Sequence, residues 1–163
     1  MTIVIPHYGS LDYTLSCLAA IGESTPEPHH VVIVDNGTGD VLPGHVVRNE
    51  TNQGFARACN QGASEADTPV VVFLNNDAEP TAGWLRPLVE AVSEEGVGAA
   101  SSRLVFPDGS LQFGQIEFRR LPRGRIDPRV VRHERPRERV RAVIAASMAV
   151  RREAFDAVGG FDE

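Results

Sequence analysis

The chain has 163 residues, of which 42% are hydrophobic and 23% are charged, and its formal net charge is −6. This profile suits one globular domain over residues 1–163 and excludes a disordered chain. The apolar runs are too short to cross a bilayer, two cysteines do not make a disulfide scaffold, and the acidic balance argues against general nucleic-acid binding. We expect two buried free thiols and a cytoplasmic protein.

Strand and helix patterns alternate over the first hundred residues. Apolar runs predict strands at Thr2–Pro6, His30–Asp35, His45–Asn49, Val70–Asn75 and Gly98–Arg103. Helical spacing of apolar residues predicts helices over Ser10–Gly22, over Gly54–Ala66 and around Trp84, Leu88 and Val92. Because the strands are continuously apolar and alternate with helices, the pattern predicts an open, mostly parallel α/β sheet with helices on both faces.

The pattern changes after Arg103. Val105–Gly114 predicts a hairpin, Val140–Val150 a strand that returns to the sheet, and Glu153–Val158 a short helix. All 16 basic residues of the chain are arginines, and ten of them lie between Arg119 and Arg141. Residues 119–139 therefore predict a mobile, arginine-rich loop without regular structure, which either meets an anionic ligand or surface or is simply solvated.

Polar side chains follow the predicted strands at their carboxyl ends, where open α/β sheets bind ligands. They are His7 and Tyr8, Asp35 and Asn36, and Asn76 and Asp77. A carboxylate such as Asp77 beside amides suits Mg²⁺ or Mn²⁺ on a diphosphate, although an ordinary turn rich in Asn and Asp is an equal alternative. Asp35 fits a ribose or a base, or else a plain Asx turn.

A glycine and an asparagine near the second helix add to this edge. Gly54 lets a ligand approach the start of a helix, where free N–H groups favour anions. Asn60 lies further along the packed face of that helix and needs polar partners, so it either serves the ligand or braces the loops between strands.

Five blocks of sequence, in this order, resemble the inverting family 2 glycosyltransferases of GT-A fold, which include bacterial rhamnosyl- and other polysaccharide-assembling transferases. The blocks are PHYGS, VDNGTGD, NQGFARACNQG, FLNNDAEPTAGWL and VRREAFDAVGGFDE, and together they span essentially the whole chain. The resemblance implies a GT-A sheet with a Rossmann-like nucleotide-binding half. It also implies transfer of a sugar, with inversion, from a nucleoside-diphosphate sugar to a glycan or lipid-linked acceptor.

The resemblance also assigns roles to individual residues. The nucleotide pocket would be formed by Pro6, Tyr8, Asp35, Asn52, Gly54, Asn60 and Asn76. Asp77 would hold a divalent cation, Mg²⁺ or Mn²⁺, with Asn75 in place of the first acid of the family's metal motif. Trp84 matches a GW pair on the acceptor side, although packing of its indole against the helix is the favoured interpretation.

The resemblance leaves the general base unassigned, because in similar proteins an acidic pair follows several residues after GGFDE. We therefore expect the chain to be the amino-terminal portion of a longer enzyme, one that binds nucleotide weakly and transfers sugar poorly on its own. A non-catalytic sugar-nucleotide binding module or pseudoenzyme subunit is the alternative, and a nucleotidyltransferase ranks last. Residues 119–139 would close over donor phosphates or contact the inner face of a membrane.

Overall fold

The computed structural model describes residues 1–131 and 137–163. Its strands are β1 Thr2–His7, β2 His30–Asn36, β3 His45–Asn49, β4 Val70–Leu74, β5 Ala99–Ser101, β6 Leu104–Val105, β7 Leu111–Phe113, β8 Gln115–Arg120, β9 Ile126–Val131 and β10 Ser147–Arg151. Its helices are α1 Leu11–Ser24, α2 Phe55–Ser64, α3 Leu85–Val92 and α4 Arg152–Ala157, with a 3-10 turn at Pro122–Gly124. The predicted alternation of strands and helices is confirmed. Among the described residues, no helix combines the length and apolarity needed to span a bilayer.

The main sheet has six strands in the order β3-β2-β1-β4-β10-β5. β1 to β4 are parallel, and β10 runs antiparallel between β4 and β5. The returning strand predicted over Val140–Val150 is therefore present, but it begins only at Ser147. Because β5 runs with β4, the carboxyl ends of β1 to β5 lie along one edge of the sheet, which confirms the predicted mostly parallel α/β fold.

Helices cover both faces of this sheet, as the apolar strands require. Alternate residues of β1 serve opposite faces: Ile3 and Ile5 pack with α1 and α3, and Val4 packs with α2. α2 lies very close to β1, because a Cβ on Gly62 would come within 2.2 Å of a methyl carbon of Val4.

The two cysteines are free and lie on opposite faces of the sheet. Burial raises the pKa of each thiol to about 12, and the charges of Asp77 and Glu79 add to the effect at Cys17. Both thiols therefore remain protonated, in line with the expectation of buried free thiols.

Residues 102–146 form an insertion between β5 and β10. Both ends of the insertion lie at the carboxyl edge of the sheet, where Ser102 N–H donates to the carbonyl of Ser147 (3.0 Å) and their hydroxyls are 3.0 Å apart. The predicted hairpin at Val105–Gly114 is present as β6 and β7.

Part of the predicted loop at 119–139 is regular structure, and this corrects the prediction. β8 and β9 pair antiparallel from Gln115 opposite Val131 to Arg120 opposite Ile126. The pairing was hidden in the sequence because arginines interrupt the apolar residues that alternate along the two strands. Residues 132–136 of the predicted loop lie outside the described residues. Beyond them, Arg137 contacts Glu94, and Arg139 donates to the carbonyl of Glu95 (3.0 Å).

Candidate functional site

The carboxyl ends of β1 and β4 are joined through α1. The amide of Asn76 donates to the carbonyl of Tyr8 (3.2 Å) and to the hydroxyl of Thr14 (3.1 Å). The same hydroxyl lies 2.7 Å from Nδ1 of His7, which is completely buried at the end of β1. Thr14 therefore connects the tips of two neighbouring strands.

His7 extends this connection to the loop after β2. Its Nε2 lies 2.9 Å from the hydroxyl of Thr38 and 2.9 Å from a carboxylate oxygen of Asp40. Because the Thr38 hydroxyl proton goes to Asp35, Nε2 of His7 is the donor in both contacts. The imidazole of His7 therefore joins Thr14 on one side to Thr38 and Asp40 on the other.

Asp35, at the end of β2, is only 1% exposed, and all of its acceptor positions are used. One oxygen accepts from the main chain (2.9 Å) and the hydroxyl (2.8 Å) of Thr38, and the other from Gly39 N–H (3.2 Å) and Arg48 (2.7 Å). Burial by itself would raise the pKa of Asp35, but these hydrogen bonds and the charge of Arg48 outweigh it and hold the pKa below its ordinary value.

Asn36 ties the loop before α2 to the same edge. Its amide donates to the side chain of Asn52 (2.9 Å) and to the carbonyl of Gly54 (3.2 Å), and its carbonyl oxygen accepts from Gln53 N–H (2.9 Å). Gly54 N–H in turn donates to Asn52 (2.8 Å). Among the described residues other than its own chain neighbours, none lies within 4 Å of the position that a Cβ on Gly54 would occupy, so this point stays open to a ligand.

Pro6 and Tyr8 differ in what they present to solvent. Pro6 is buried within β1, opposite Val34 of β2. Tyr8 is 58% exposed just beyond the strand, so of this pair it is the tyrosine ring that offers a surface to a ligand.

Asp77 lies exposed in the turn after β4, two residues beyond Asn75. The side-chain oxygen of Asn75 is buried and has no hydrogen-bond partner among the residues that the structure describes. Within the described ranges, no three His, Cys, Asp or Glu side chains come together as a metal site. Asp77 thus offers one exposed carboxylate, which fits a cation that also binds a ligand's own oxygens, and the unsatisfied Asn75 oxygen lies two residues before it in sequence.

Three hydrogen bonds of the Asn60 side chain are with the segment that follows α4 and not with the other predicted pocket residues. Its amide donates to the carbonyl of Phe161 (2.9 Å) and to Glu163 (3.0 Å), and its oxygen accepts from Phe161 N–H (2.9 Å). Phe161 also packs edge-on against Phe73. Gly160 has φ +84°, and a Cβ there would lie 2.7 Å from the Asn60 oxygen. We call this arrangement the Asn60 clamp.

Thr14, Thr38 and Arg48 are parts of this network that the sequence analysis missed. The signal for Arg48 was its place on β3, directly opposite Asp35 in the sheet register. Thr14 had no such signal, because its contact with His7 depends on where α1 lies over the strand.

A cleft of about 1160 Å³ adjoins the same edge on the β5 side. It lies between α3, the β6–β7 hairpin and residues 137–143. Trp84 lines this cleft, and its indole N–H donates to the hydroxyl of Thr25 (2.9 Å). The side chain also packs against the apolar core, which is the interpretation that the sequence analysis preferred.

Comparisons with known proteins agree with this architecture. The sequence profile of the family described as "Glycosyl transferase family 2" matches residues 2–159. The O-antigen biosynthesis protein RfbC of Myxococcus xanthus is 36% identical over 115 residues, which are 64% of this chain and 9% of RfbC.

Two solved structures have the same fold over 99% of this chain. The mannosyltransferase PcManGT from Pyrobaculum calidifontis, in complex with GDP-Man and Mn²⁺, has a TM-score of 0.69 at 20% identity, and the chain covers 47% of it. Residues 1–349 of TarS from S. aureus have a TM-score of 0.64 at 16% identity, and the chain covers 50% of them. The chain therefore spans half or less of each of these proteins.

Proposed function

This chain belongs to glycosyl transferase family 2, and we propose that it binds a nucleoside-diphosphate sugar at the carboxyl edge of its sheet and serves transfer of the sugar, with inversion, to an acceptor hydroxyl. The observation that carries the proposal is the single hydrogen-bond network that joins the tips of β1, β2 and β4 beside Asp77. The GDP-Man complex of the similarly folded mannosyltransferase supports the same class of donor.

In this proposal the nucleotide lies across the tips of β1 and β2. Tyr8 offers an exposed ring for the base, and Gly54 leaves room for the ligand near the start of α2. The carboxylate of Asp35 is saturated, so it reaches a ribose or base only when a partner leaves. Arg48 is the partner most easily displaced, because its side chain is about half exposed.

We further propose that Asp77 holds a divalent cation together with the donor diphosphate, with the unsatisfied oxygen of Asn75 close by in sequence. When bound, such a cation stabilises the negative charge that grows on the departing diphosphate. The chain's own contribution is to fix the turn after β4 in position, since Asn76 fastens it to Tyr8 and Thr14.

The acceptor is proposed to be a glycan or a lipid-linked glycan that approaches from the cleft beside Trp84. Its hydroxyl must lose a proton as it attacks the sugar from the side opposite the diphosphate, because that direction inverts the anomeric carbon. We assign that proton to no residue of this chain. Glu163 is already engaged by Asn60 and lies 3.9 Å from Arg57.

Calorimetric titration with a panel of nucleoside diphosphates, with and without Mn²⁺, tests the proposal. We expect Mn²⁺ to raise the affinity for a preferred diphosphate by about tenfold or more, which corresponds to about 1.4 kcal/mol. Asp77→Ala should lose this gain. Glu79→Ala, which removes an exposed carboxylate two residues away, is the matched control and should keep it.

The outcomes separate the parts of the proposal. Retention of the Mn²⁺ gain in Asp77→Ala would show that the cation is held elsewhere. Failure of every nucleoside diphosphate to bind would overturn the proposed function itself.

A further inference from the structure

The ribbon formed by β8 and β9 has one apolar face and one charged face. Residues directly opposite each other in an antiparallel pair share a face. One face therefore carries the pairs Ile116–Val130, Phe118–Pro128 and Arg120–Ile126, and the other carries Gln115–Val131, Glu117–Arg129 and Arg119–Asp127. The apolar face is open to solvent, because Phe118 is 42%, Val130 51% and Ile126 63% exposed.

This ribbon is a separate two-stranded sheet, and no strand of the main sheet pairs with it in the described structure. A two-stranded hairpin with an uncovered apolar face is only marginally stable in water by itself. Cover for that face would stabilise the ribbon and remove the apolar side chains from solvent.

The charge of the ribbon indicates what covers it. Gln115–Val131 contains five arginines and two acidic residues, and so carries +3 in a chain whose net charge is −6. Arg129 is paired with Asp127 (2.9 Å). Four more exposed arginines lie at the tip end of the ribbon, and Arg120 is on its apolar face: Arg119, Arg120, Arg123 and Arg125. Guanidinium groups bind phosphate oxygens in a bidentate manner, which suits lipid phosphates.

We propose that the β8–β9 ribbon docks on an anionic lipid bilayer, with Phe118 and Ile126 in the interface and the tip arginines on lipid phosphates. An acidic soluble protein would match the same charge, and it is the alternative that the test below separates. A bilayer interface offers apolar and anionic groups side by side.

The place of the ribbon in the chain gives this contact a use. The insertion that carries it leaves the sheet after Ser101 and returns at Ser147, both at the carboxyl edge. A membrane-bound ribbon therefore holds the edge with Asp35 and Asp77 near the bilayer. This consequence rests on the proposed function, because it brings the donor site to a lipid-linked acceptor.

Vesicle flotation of the chain without nucleotide tests the docking alone. We expect the chain to float with vesicles of phosphatidylglycerol and phosphatidylcholine, not with phosphatidylcholine alone, and to be released by high salt. Arg120→Ser/Arg123→Ser should lower partitioning by about fivefold per arginine. Phe118→Ser/Ile126→Ser should lower it by about tenfold or more.

The matched control is Arg86→Ser/Val158→Ser, which removes an exposed arginine and an exposed valine from α3 and the end of α4. It should float like the unchanged chain. Thermal unfolding of each variant checks that the fold is retained, and the tip variant Arg123→Ser/Arg125→Ser lies outside both strands in case the others unfold.

Equal flotation of ribbon and control variants would overturn the proposal, as would equal binding to neutral vesicles. Binding to soluble polyglutamate without flotation would assign the ribbon to an acidic polypeptide and would also overturn it. Because no nucleotide is present, none of these results depends on sugar-nucleotide binding. Flotation without diphosphate binding would leave the docking supported and the proposed function refuted.

Discussion

The Asn60 clamp allows a prediction that separates a structural role of the Asn60 side chain from a role in ligand binding. Asn60→Ala removes two hydrogen bonds to the main chain of Phe161, at 2.9 Å each, and a more exposed one to Glu163. At about 1 kcal/mol for each main-chain contact, the variant should lose about 2 kcal/mol of unfolding free energy. For a chain of this size the loss corresponds to about 4–8 °C in Tm. Urea and thermal unfolding, followed by the single tryptophan, measure it.

Two further variants, a control and a second change in the clamp, make this prediction more specific. Gln53→Ala removes an exposed side-chain amide that, within the described part of the chain, hydrogen-bonds only to Thr51. This variant should cost less than about 0.5 kcal/mol of unfolding free energy. Gly160→Ala should also be destabilising, because its Cβ meets the Asn60 oxygen and φ is positive. In the Asn60→Ala background that substitution should cost less, since the contacting oxygen is gone.

The reasoning would be refuted if Asn60→Ala unfolded like the unchanged chain but bound nucleoside diphosphates more weakly. That result would place the Asn60 amide on the ligand, which is the role that the family resemblance implies, and would leave the clamp without energetic weight.

Three more predictions follow from the fold and the strand tips. Asp35→Asn should lower the unfolding free energy at neutral pH by about 2 kcal/mol. Because the pKa of Asp35 is lower in the folded chain than in the unfolded chain, its carboxylate stabilises the fold above about pH 4. This stabilisation is lost as the pH falls through the folded-state pKa. A difference between the two proteins that stays constant in acid would contradict this. Gly62→Ala should lower the unfolding free energy by about 1–3 kcal/mol, because the added methyl group clashes with Val4. In the Val4→Ala background the same substitution should cost less, as thermal unfolding would show. Costs of the two single variants that simply add in the double variant would contradict this. Transfer by the 163-residue chain should be weak or absent, because none of its carboxylates is assigned to take the proton of the acceptor hydroxyl; robust product formation with a sugar nucleotide would contradict this.

Sequence patterns predict the sheet well where the cause of structure is local. Continuous apolar runs mark β1, β2 and β4, and the polar residues that end them lie together because parallel strands share an edge. The motif around Asp77 is likewise a property of one strand and its turn. Such features need no knowledge of distant contacts.

Features that depend on contacts between residues far apart in the sequence are harder to predict from it. Asn60 meets Phe161 across 101 positions of sequence, and no local pattern indicates that pairing. Thr14 reaches His7 only because α1 packs over the tip of β1. The β8–β9 ribbon was missed for another reason: its apolar face is not buried, so arginines are tolerated among the alternating residues and weaken the period of two.

The hydrogen bonds between Ser102 and Ser147 have a consequence for how such a protein diversifies. The two ends of the segment between these serines are already in contact. A segment of another length would therefore start and end at the same two positions, and its extra cost would be the entropy of closing a longer loop, which grows slowly with length. The segment between β5 and β10 can thus be replaced by one of another length while the strands of the main sheet and the polar residues at its edge keep their positions.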